Sequence, residues 1–505
     1  MTGFMFKKLL IANRGEIAVR IIRACRDLGI SPVAVYSDAD RDALHVKLAD
    51  EAVPIGGQTA LESYLRSDKL IEAAITTRAE ALHPGYGFLA ESEQLVQACE
   101  EHQIVFVGPA REAMKAMGTK VSSRAIAEKA GIPVVPGTRS PVRSPQEAVA
   151  AAEQLGFPVI LKADSGGGGK GMRVASTPEE LTSVFAAATQ EAASAFGDPA
   201  VYLEKQLKRA RHIEVQILGD QHGNLIHLGE RECSVQRRFQ KIVEESPSPL
   251  ANQKMRQMLG EAALAIAREV EYYSAGTIEF LVDAENPVSF YFLEMNTRLQ
   301  VEHPVTEMVT NTDIVCEQIM IAAGQPLLQR QEEVRLEGAA IECRIYAEDP
   351  ARDFLPSPGI VTELAEPAGP GIRNDSALYP GYKIPVYYDP LVSKIIAYGS
   401  DREQALRRML RALTEYRVGG VPTTVSFLRR LIAHPQFIAG SLHNRFLEEY
   451  PILDEDREKA KHVPLLGAAI EHLLEKPASA PARPAGKPGN QWKQAGRPDF
   501  YSRRW

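Results

Sequence analysis

Residues 276–281 read GTIEFL and residues 290–296 read FYFLEMN, and these two segments decide the fold of the chain. Both read as strands, and the AENP segment between them is typical of a turn, so the stretch predicts a β-hairpin. In a hairpin that is symmetric about Asn286-Pro287, Glu279 and Glu294 face each other, with their Cβ atoms about 5 Å apart.

Two carboxylates that face each other repel, and this repulsion favours a divalent cation between them. Asn296 lies two residues beyond Glu294, so its side chain projects from the same face and adds an oxygen ligand. Oxygen-only ligands suit Mg2+ or Mn2+ that bridges nucleotide phosphates. The alternative is a pair of glutamates on a solvated strand face, but the flanking residues are apolar enough for a buried sheet.

The hairpin is followed by residues 297–304, which read TRLQVEHP. Arg298 and Glu302, four residues apart, are compatible with an ordinary surface ion pair. Beside a metal–nucleotide site they are equally compatible with an anion clamp and a general base. The spacing alone leaves both interpretations open.

A glycine-rich segment, GGGGKG at residues 166–171, follows the predicted strand VILK at residues 159–162. Consecutive glycines let backbone N–H groups approach a ligand closely. Because Lys162 precedes the glycines and Lys170 lies among them, the pattern favours a flap over phosphates rather than a flexible hairpin tip. The Walker A pattern GxxxxGK[ST] is absent, since a glycine follows Lys170.

A basic run, QRRFQK at residues 236–241, precedes the segment IVEESP. Basic runs usually form a solvated face, but the apolar residues that follow predict that Lys241 enters a strand and points inward. His212, in the segment RARHIE, is by itself more typical of a structural residue than of a ligand.

The first stretch of the chain alternates short apolar strands with amphipathic helices, as in the strand at residues 9–12 and the helix at residues 17–28. This βαβ pattern predicts a parallel sheet with helices on its faces. Ligands of such sheets bind beyond the carboxyl ends of the strands. The segments NRGE at residues 13–16 and HPGYG at residues 83–87 lie at those ends.

The pattern changes from about residue 115, where a helix is predicted at residues 120–130. A third region, from about residue 338 to residue 450, mixes strands with a helix at residues 402–416. Residues 476–505 are rich in Pro, Ala, Gly and basic residues, a composition that predicts a flexible tail.

The composition excludes several classes of protein. The net charge of -7 argues against a general nucleic-acid binder, because neutralising phosphates requires an excess of Lys and Arg. The five cysteines are widely spaced and form no CxxC pair, which fits a reducing compartment. A signal-peptide pattern and a membrane-length apolar run are both absent, so the chain is expected to be cytoplasmic.

Together these segments resemble the biotin carboxylase family, which has the ATP-grasp fold. The resemblance runs from about residue 8 to residue 447. Four motifs carry it: IANRGEIA at residues 11–18, HPGYGF at residues 83–88, the glycine-rich flap, and FLEMNTRLQVEHPVTE at residues 292–307.

The resemblance implies an α/β fold of three domains. These are an N-terminal Rossmann-like (pre-ATP-grasp) domain at residues 1–114, an ATP-grasp domain at residues 115–335 and a C-terminal α+β domain at residues 336–450. A mobile lid is expected at about residues 134–206 of the ATP-grasp domain. Residues 451–505 are expected to form a helical segment and a Pro/Ala-rich basic tail.

The resemblance also implies roles for individual residues. It assigns ATP contacts to Lys120, Lys162, Gly168, Gly169, Glu204, Lys205, Leu207, His212 and Phe239. It assigns bicarbonate binding to Lys241, Arg298, Gln300 and Val301. It assigns metal binding to Glu279, Glu294 and Asn296, as the hairpin geometry had suggested. It assigns catalysis to Lys241, Arg298, Glu302 and Arg344.

In the implied mechanism Glu302 deprotonates bicarbonate, which attacks the γ-phosphate of ATP. The resulting carboxyphosphate breaks down to CO2 and phosphate, and the phosphate removes the N1' proton of biotin. Arg344 binds biotin and stabilises its enolate oxygen, as an oxyanion hole would. A closed, dry site fits an intermediate that water would destroy.

The resemblance implies ATP and Mg2+ or Mn2+, with two ions expected, and biotin as a substrate that a carrier protein presents. The expected partners are a biotin carboxyl carrier protein, carboxyltransferase subunits and a second copy of the chain in a homodimer, with neither nucleic acid nor membrane. Acetyl-CoA carboxylase, and hence fatty acid synthesis, is the expected setting. Propionyl-CoA carboxylase and pyruvate carboxylase are the alternatives.

Two positions depart from the family pattern. Phe239 stands where the family often has His or Asn, and a phenyl ring could pack against a sugar but cannot replace their hydrogen bond. Val386 stands where a second proline is usual, and the effect is expected to be local.

Two rival functions are compatible with part of the pattern. Another ATP-grasp ligase, with carbamoyl-phosphate synthesis as the nearest example, would share the three metal ligands but would not require Arg298, Glu302 and Arg344. An assembly or regulatory protein with a decayed site would lack metal ligands, and none is lost here.

Overall fold

The computed structural model describes residues 5–163, 172–207, 209–284 and 289–452. The predicted flap with Gly168 and Gly169, the turn of the hairpin at residues 285–288 and the expected tail from residue 453 onward lie outside the described residues.

The N-terminal region is a five-stranded parallel sheet with the strand order β3-β2-β1-β4-β5, as the alternating pattern predicts. Its strands are β1 (Lys8–Ile11), β2 (Ser31–Tyr36), β3 (Glu51–Pro54), β4 (Ala81–His83) and β5 (Val105–Phe106). Its helices are α1 (Gly15–Asp27), α2 (Leu44–Leu48), α3 (Ser67–Thr77), α4 (Glu93–Glu101) and α5 (Arg111–Met117).

Helix α1 shows why this region folds as it does. Ile17, Ile21 and Ile22 recur at helical spacing and are buried against the first strand. The helix ends before Gly29, whose φ of +71° is a conformation that glycine adopts without strain.

The next region contains a small antiparallel sheet of three strands in the order β7-β6-β8. Its elements are α6 (Lys120–Lys129), α7 (Pro145–Leu155), β6 (Val159–Ala163), β7 (Arg173–Ala175), α8 (Pro178–Phe196) and β8 (Val201–Lys205). Apolar side chains of α7 and α8 pack against β6 and β8 in a core of their own. This unit lies where the lid is expected.

An eight-stranded sheet dominates the rest of the chain, and all its strand pairs are antiparallel. The strand order is β13-β12-β9-β10-β11-β14-β21-β19. The elements up to residue 335 are β9 (Ala210–Gly219), β10 (Leu225–Arg237), β11 (Gln240–Ser246), α9 (Gln253–Glu269), β12 (Ser274–Asp283), β13 (Phe290–Asn296), α10 (His303–Thr310) and α11 (Ile314–Ala322).

The sheet continues past residue 335, because β11 pairs with β14 of the third region. The remaining strands are β14 (Ala339–Tyr346), β15 (Glu348–Asp349), β16 (Leu355–Pro356), β17 (Gly359–Ile360), β18 (Glu363–Ala365), β19 (Ile372–Ser376), β20 (Lys383–Ile384), β21 (Leu391–Gly399) and β22 (Arg417–Gly419). The helices are α12 (Arg402–Glu415), α13 (Val425–Ile432), α14 (Pro435–Ile438) and α15 (Phe446–Glu449). One shared sheet therefore underlies the second and third regions.

The predicted hairpin is formed by β12 and β13, and Glu279 is paired directly with Glu294 in its register. The register shifts beyond this pair: Phe280 is opposite Phe292, so Leu293 has no partner in the register and is an extra residue on β13. Such a bulge bends one strand locally. The opposition of the two glutamates is confirmed, and the bulge is an addition to the predicted symmetric hairpin.

Candidate active site

A cavity of about 560 Å3 lies where the small sheet, the eight-stranded sheet and the third region meet. Most of the residues that the sequence singles out line it. They are Lys120, Lys162, His212, Phe239, Lys241, Glu279, Glu294, Asn296, Arg298, Gln300, Val301, Glu302 and Arg344. The structure thus brings together residues that lie more than two hundred positions apart in the chain, such as Lys120 and Arg344.

The two hairpin glutamates each contact basic side chains in the cavity. Glu279 is buried and lies 2.8 Å from Lys241 Nζ and 2.9 Å from His212 Nε2. Glu294 pairs with Lys120. Asn296 donates a hydrogen bond of 3.0 Å to Glu279, so it lies on the same face of the hairpin.

Burial by itself raises the pKa of Glu279, but Lys241 and His212 outweigh it and hold the pKa well below its usual range. Glu279 is therefore an anion at neutral pH. Together with Glu294 and Asn296 it forms an oxygen donor set on one face of the hairpin, which fits a hard divalent cation. These three residues could hold Mg2+ or Mn2+.

Lys241 is at the centre of the charged part of the cavity. Its Nζ lies 2.5 Å from Glu214, 2.8 Å from Glu279 and 2.7 Å from Glu302. Burial lowers the pKa of Lys241, but these carboxylates together raise it well above its usual range. The prediction that Lys241 enters a strand and points inward is confirmed, since it is the second residue of β11.

Glu302 lies immediately before α10, and its side chain has no exposure to solvent. It accepts hydrogen bonds of 2.7 Å from Lys241 and 3.0 Å from Arg344. Burial raises its pKa, whereas Lys241 and Arg344 lower it well below the usual range. The side chain is thus held in place as a carboxylate by Lys241 and Arg344.

The two arginines of the site have different partners. Arg344 bridges Glu302 and Glu244, with Nε 2.6 Å from Glu244. Arg298 contacts Glu91 of the N-terminal region at 2.9 Å and Asn296 at 3.0 Å. Arg298 and Glu302 therefore both line the cavity, and each has its own partners. They do not form the surface ion pair that their spacing also allowed.

Among the expected ATP contacts that the structure describes, three do not line the cavity. Glu204 is buried and pairs with Lys162 and Arg124 instead. Lys205 donates to the backbone carbonyls of residues 156 and 157. The neighbouring Gln206 lines the cavity, whereas Leu207 does not. The side chains of Glu204 and Lys205 thus bond to groups of the protein rather than facing the ligand space.

The chain matches three protein-family models. The model described as "Biotin carboxylase, N-terminal domain" matches residues 5–114. That described as "Carbamoyl-phosphate synthase L chain, ATP binding domain" matches residues 119–330. That described as "Biotin carboxylase C-terminal domain" matches residues 342–449.

The chain spans nearly the whole length of two curated relatives. Biotin carboxylase 1 of Bacillus subtilis is 53% identical over 449 residues, which cover 89% of this chain and 100% of that protein. A pyruvate carboxylase component of Methanothermobacter thermautotrophicus is 48% identical over 468 residues, covering 91% and 95% of the two chains. The chain belongs to the biotin carboxylase family.

A solved structure agrees with this assignment. The biotin carboxylase domain dimer of Hydrogenobacter thermophilus 2-oxoglutarate carboxylase, in complex with MgADP, ADP and bicarbonate, superimposes with a TM-score of 0.87. It is 47% identical, and the match covers 89% of this chain and 99% of that one. The chain thus has the biotin carboxylase fold of three domains, and it is an ATP-dependent carboxylating ligase.

Phe239 occupies a hairpin turn at the rim of this biotin carboxylase cavity. Arg238 and Phe239 form the two-residue connection between β10 and β11, and both have positive φ, +50° and +66°. The ring lines the cavity while 44% of the residue stays exposed. Phe239, the residue that departs from the family pattern, therefore faces the ligand space.

Several residues of the site carry no recognisable motif and were missed by sequence reasoning. The cavity is also lined by Gln206, Tyr346, Asp389, Asn444, Arg445 and Glu448. Glu214, which contacts Lys241, could have been found, because it alternates with His212 along β9 and so shares its face. Most of the others come from the third region, and only the tertiary fold brings them to the cavity.

No helix in the described part of the chain is both long enough and apolar enough to cross a membrane. All five cysteines lie within the described residues, where they are buried and unpaired by disulfides.

Proposed function

We propose that the chain carboxylates biotin through carboxyphosphate, with Glu302 as the base that deprotonates bicarbonate. The observation that carries this proposal is the position of Glu302, which is buried between Lys241 and Arg344 in the same cavity as the hairpin carboxylates. A base in that position lies next to the metal–nucleotide site, where bicarbonate has to meet the γ-phosphate.

The cationic and amide groups beside Glu302 would hold bicarbonate. Arg298 offers a planar guanidinium that suits a carboxylate-like anion, and Lys241 adds a point charge. Gln300 and Val301, which lie between Arg298 and Glu302 in the sequence, also line the cavity. As bicarbonate loses its proton to Glu302, these groups would stabilise the negative charge that builds up on its oxygens.

Lys120, Lys162 and His212 would contact the phosphates of ATP, since all three line the cavity. Apolar residues of the same cavity, Ile160, Met172 and Leu281 among them, would cover the base. Gly168 and Gly169 would add backbone N–H groups, and Phe239 would pack against the sugar. Glu204, Lys205 and Leu207 would act through their backbone, because the cavity is not lined by their side chains.

Glu279, Glu294 and Asn296 would hold Mg2+ or Mn2+, and two ions are proposed. A bound divalent cation supplies charge neutralisation at the phosphates. Within the chain, Lys120 and Lys241 balance the two carboxylates in the free protein.

Arg344 would bind biotin and stabilise its enolate oxygen. A biotin carboxyl carrier protein would deliver biotin, and a carboxyltransferase would consume carboxybiotin. The chain is proposed to form a homodimer, which is supported by the dimer named for the relative from Hydrogenobacter thermophilus. It is proposed to act in the cytoplasm, where five buried, reduced cysteines are stable.

Acetyl-CoA carboxylase, and hence fatty acid synthesis, is the proposed setting. The support is the full-length match to a relative that is named simply as a biotin carboxylase. Pyruvate carboxylase is the alternative favoured by the relative from Methanothermobacter thermautotrophicus, and propionyl-CoA carboxylase is a third. Identification of the biotinylated protein that co-purifies with the chain would separate these three.

A biotin-dependent ATPase assay tests the proposed reaction. The purified chain should release ADP only when bicarbonate is present, and free biotin should stimulate the release. The rival, carbamoyl-phosphate synthesis, predicts stimulation by ammonia and indifference to biotin. That second result would overturn the proposal.

A further inference from the structure

Lys394 on β21 is a buried lysine beside the active site that no assigned role explains. Its side chain has no exposure to solvent. Lysines are almost never fully buried unless they are paired. Its Nζ donates a hydrogen bond of 2.7 Å to the backbone carbonyl of Val301. This contact joins the third region to the residue that precedes Glu302.

Carboxyl groups on two other elements interact electrostatically with Lys394. Glu16 of α1 lies 3.4 Å from Nζ. Glu342 lies two residues before Arg344 on β14, and Arg344 is paired with Lys394 in the strand register. Burial raises the pKa of Glu342, and the positive charge of Lys394 opposes that rise. Lys394 thus joins β14, β21 and the N-terminal region.

The carbonyl of Val301 belongs to the peptide unit that joins it to Glu302. This peptide unit is planar, so a bond to its oxygen fixes the direction of its N–H and the position of the Glu302 Cα. The Glu302 side chain starts from that Cα and reaches Lys241 and Arg344. Lys394 therefore acts on the base through the backbone.

We infer that Lys394 is a positioning residue for carboxylation, which holds the Val301–Glu302 peptide so that Glu302 meets bicarbonate in the right geometry. The inference rests on the proposed function of Glu302. Small displacements of a catalytic group cost large factors in rate, about 10²-fold for a shift of about 1 Å. Loss of the hydrogen bond from Lys394 should therefore affect the bicarbonate step selectively.

The test compares Lys394→Met with Lys394→Arg and with a control, Lys383→Met, at an exposed lysine on β20. In Lys394→Met, kcat/KM for bicarbonate should fall about 10- to 100-fold while KM for ATP stays within about twofold. Lys394→Arg keeps the charge and the donors, so it should recover most of the loss. Lys383→Met should match the unmodified chain.

Removal of Lys394 takes away the ion-pair partner of the buried Glu16, so the single variant is expected to lose stability. The double variant Lys394→Met with Glu16→Gln removes this carboxyl group and keeps the test available. It should show the same selective loss in kcat/KM for bicarbonate at a higher melting temperature. Normal bicarbonate kinetics in either folded variant, or an equal loss for ATP and bicarbonate, would overturn the inference.

Glu302→Gln separates this inference from the proposed function. If Glu302→Gln is inactive and Lys394→Met is normal, the positioning role is wrong and the base assignment stands. If Glu302→Gln keeps full activity, the assignment of Glu302 is wrong, and the positioning role is overturned with it.

Discussion

Among single residues, Lys241 links the candidate metal site to the proposed base. One ammonium group contacts Glu279, a candidate metal ligand, and Glu302, the proposed base. Both carboxylates are buried, so each depends on a nearby cation to stay ionised. The charge state of the metal ligand is thus coupled to that of the base through one side chain.

Glu302→Gln should lower kcat for bicarbonate-dependent ATP cleavage by roughly 10²–10⁴-fold, because an amide cannot accept the proton. Nucleotide binding should remain near normal, since Glu302 lies beside the residues that are proposed to hold bicarbonate rather than ATP. Steady-state kinetics and ATP titration measure the two effects. Glu245→Gln, at a buried glutamate paired with Arg402, is the matched control and should keep full activity. Undiminished turnover in Glu302→Gln would remove it as the base.

Phe239→His should lower KM for ATP a few-fold, because a ring nitrogen at the rim of the cavity can make a hydrogen bond that phenyl cannot. One hydrogen bond contributes about 0.5–1.5 kcal/mol, which sets the size of the effect. Steady-state ATP titrations of both forms measure it, and His102→Phe on an exposed helix end serves as the control. An unchanged KM would show that this position does not contact nucleotide.

Among the secondary-structure elements, the β12–β13 hairpin shows how much of the structure the local sequence pattern predicts. Its opposed glutamates follow from strand alternation and the position of the turn, and both were predictable. The extra residue Leu293 was not predictable, because a bulge depends on the twist of the neighbouring strands rather than on local composition. Asn296 still lies on the face of Glu294, since the bulge precedes both.

Glu294→Gln should raise the Mg2+ concentration needed for half-maximal activity on the order of tenfold, because it removes one anionic ligand. Metal titration of the ATPase reaction measures this. Glu261→Gln on the exposed side of α9 is the control and should titrate like the unmodified chain. A metal dependence that does not change in Glu294→Gln would contradict the hairpin site.

Glu317 on α11 should make the stability of the folded chain depend on pH. Burial, with a smaller contribution from Asp313, raises the pKa of Glu317 to about 7. The folded state therefore keeps a proton that the unfolded chain has lost, so stability is full at acid pH and falls as the pH rises to about 7. The loss amounts to about 1–3 kcal/mol.

Glu317→Gln removes this titration, so it should raise the melting temperature at pH 8 and change it little at pH 5. Thermal unfolding at the two pH values measures the difference. Glu332→Gln, at an exposed glutamate, should have no pH-dependent effect. Equal shifts at both pH values in Glu317→Gln would show that its carboxyl group does not titrate as described.

At the scale of the whole molecule, long-range contacts limit what the sequence could predict. The parallel N-terminal sheet follows from alternating local patterns, and the proposed roles of the motif residues rest on the family resemblance. The Glu91–Arg298 pair joins residues 207 positions apart, and the β11–β14 pairing carries one sheet across an expected domain boundary. Neither leaves a local signal, because each depends on how separate elements pack.

A buried ionic network also joins distant elements. Arg373 on β19 contacts Glu307 of α10 at 2.7 Å and Asp375 at 2.8 Å. Glu307 in turn contacts Arg20 of α1 at 3.0 Å. Removing one partner of such a network leaves a buried charge that is not compensated.

Arg373→Met should therefore lower the free energy of unfolding by about 3–5 kcal/mol. Arg407→Met, which breaks an exposed pair with Glu403, should cost only about 0.3–0.5 kcal/mol. Urea unfolding of both variants gives the comparison. Similar costs for the two would mean that the buried network contributes no more than a surface pair.

In the proposed reaction, bicarbonate attacks the γ-phosphate of ATP within this cavity. The most direct measurement supplies 18O-labelled bicarbonate with ATP, Mg2+ and biotin, and follows the label into inorganic phosphate by mass spectrometry. Attack by bicarbonate leaves its attacking oxygen on phosphorus when carboxyphosphate breaks down, so one labelled oxygen per phosphate is predicted. Phosphate that carries oxygen from water alone would contradict the account.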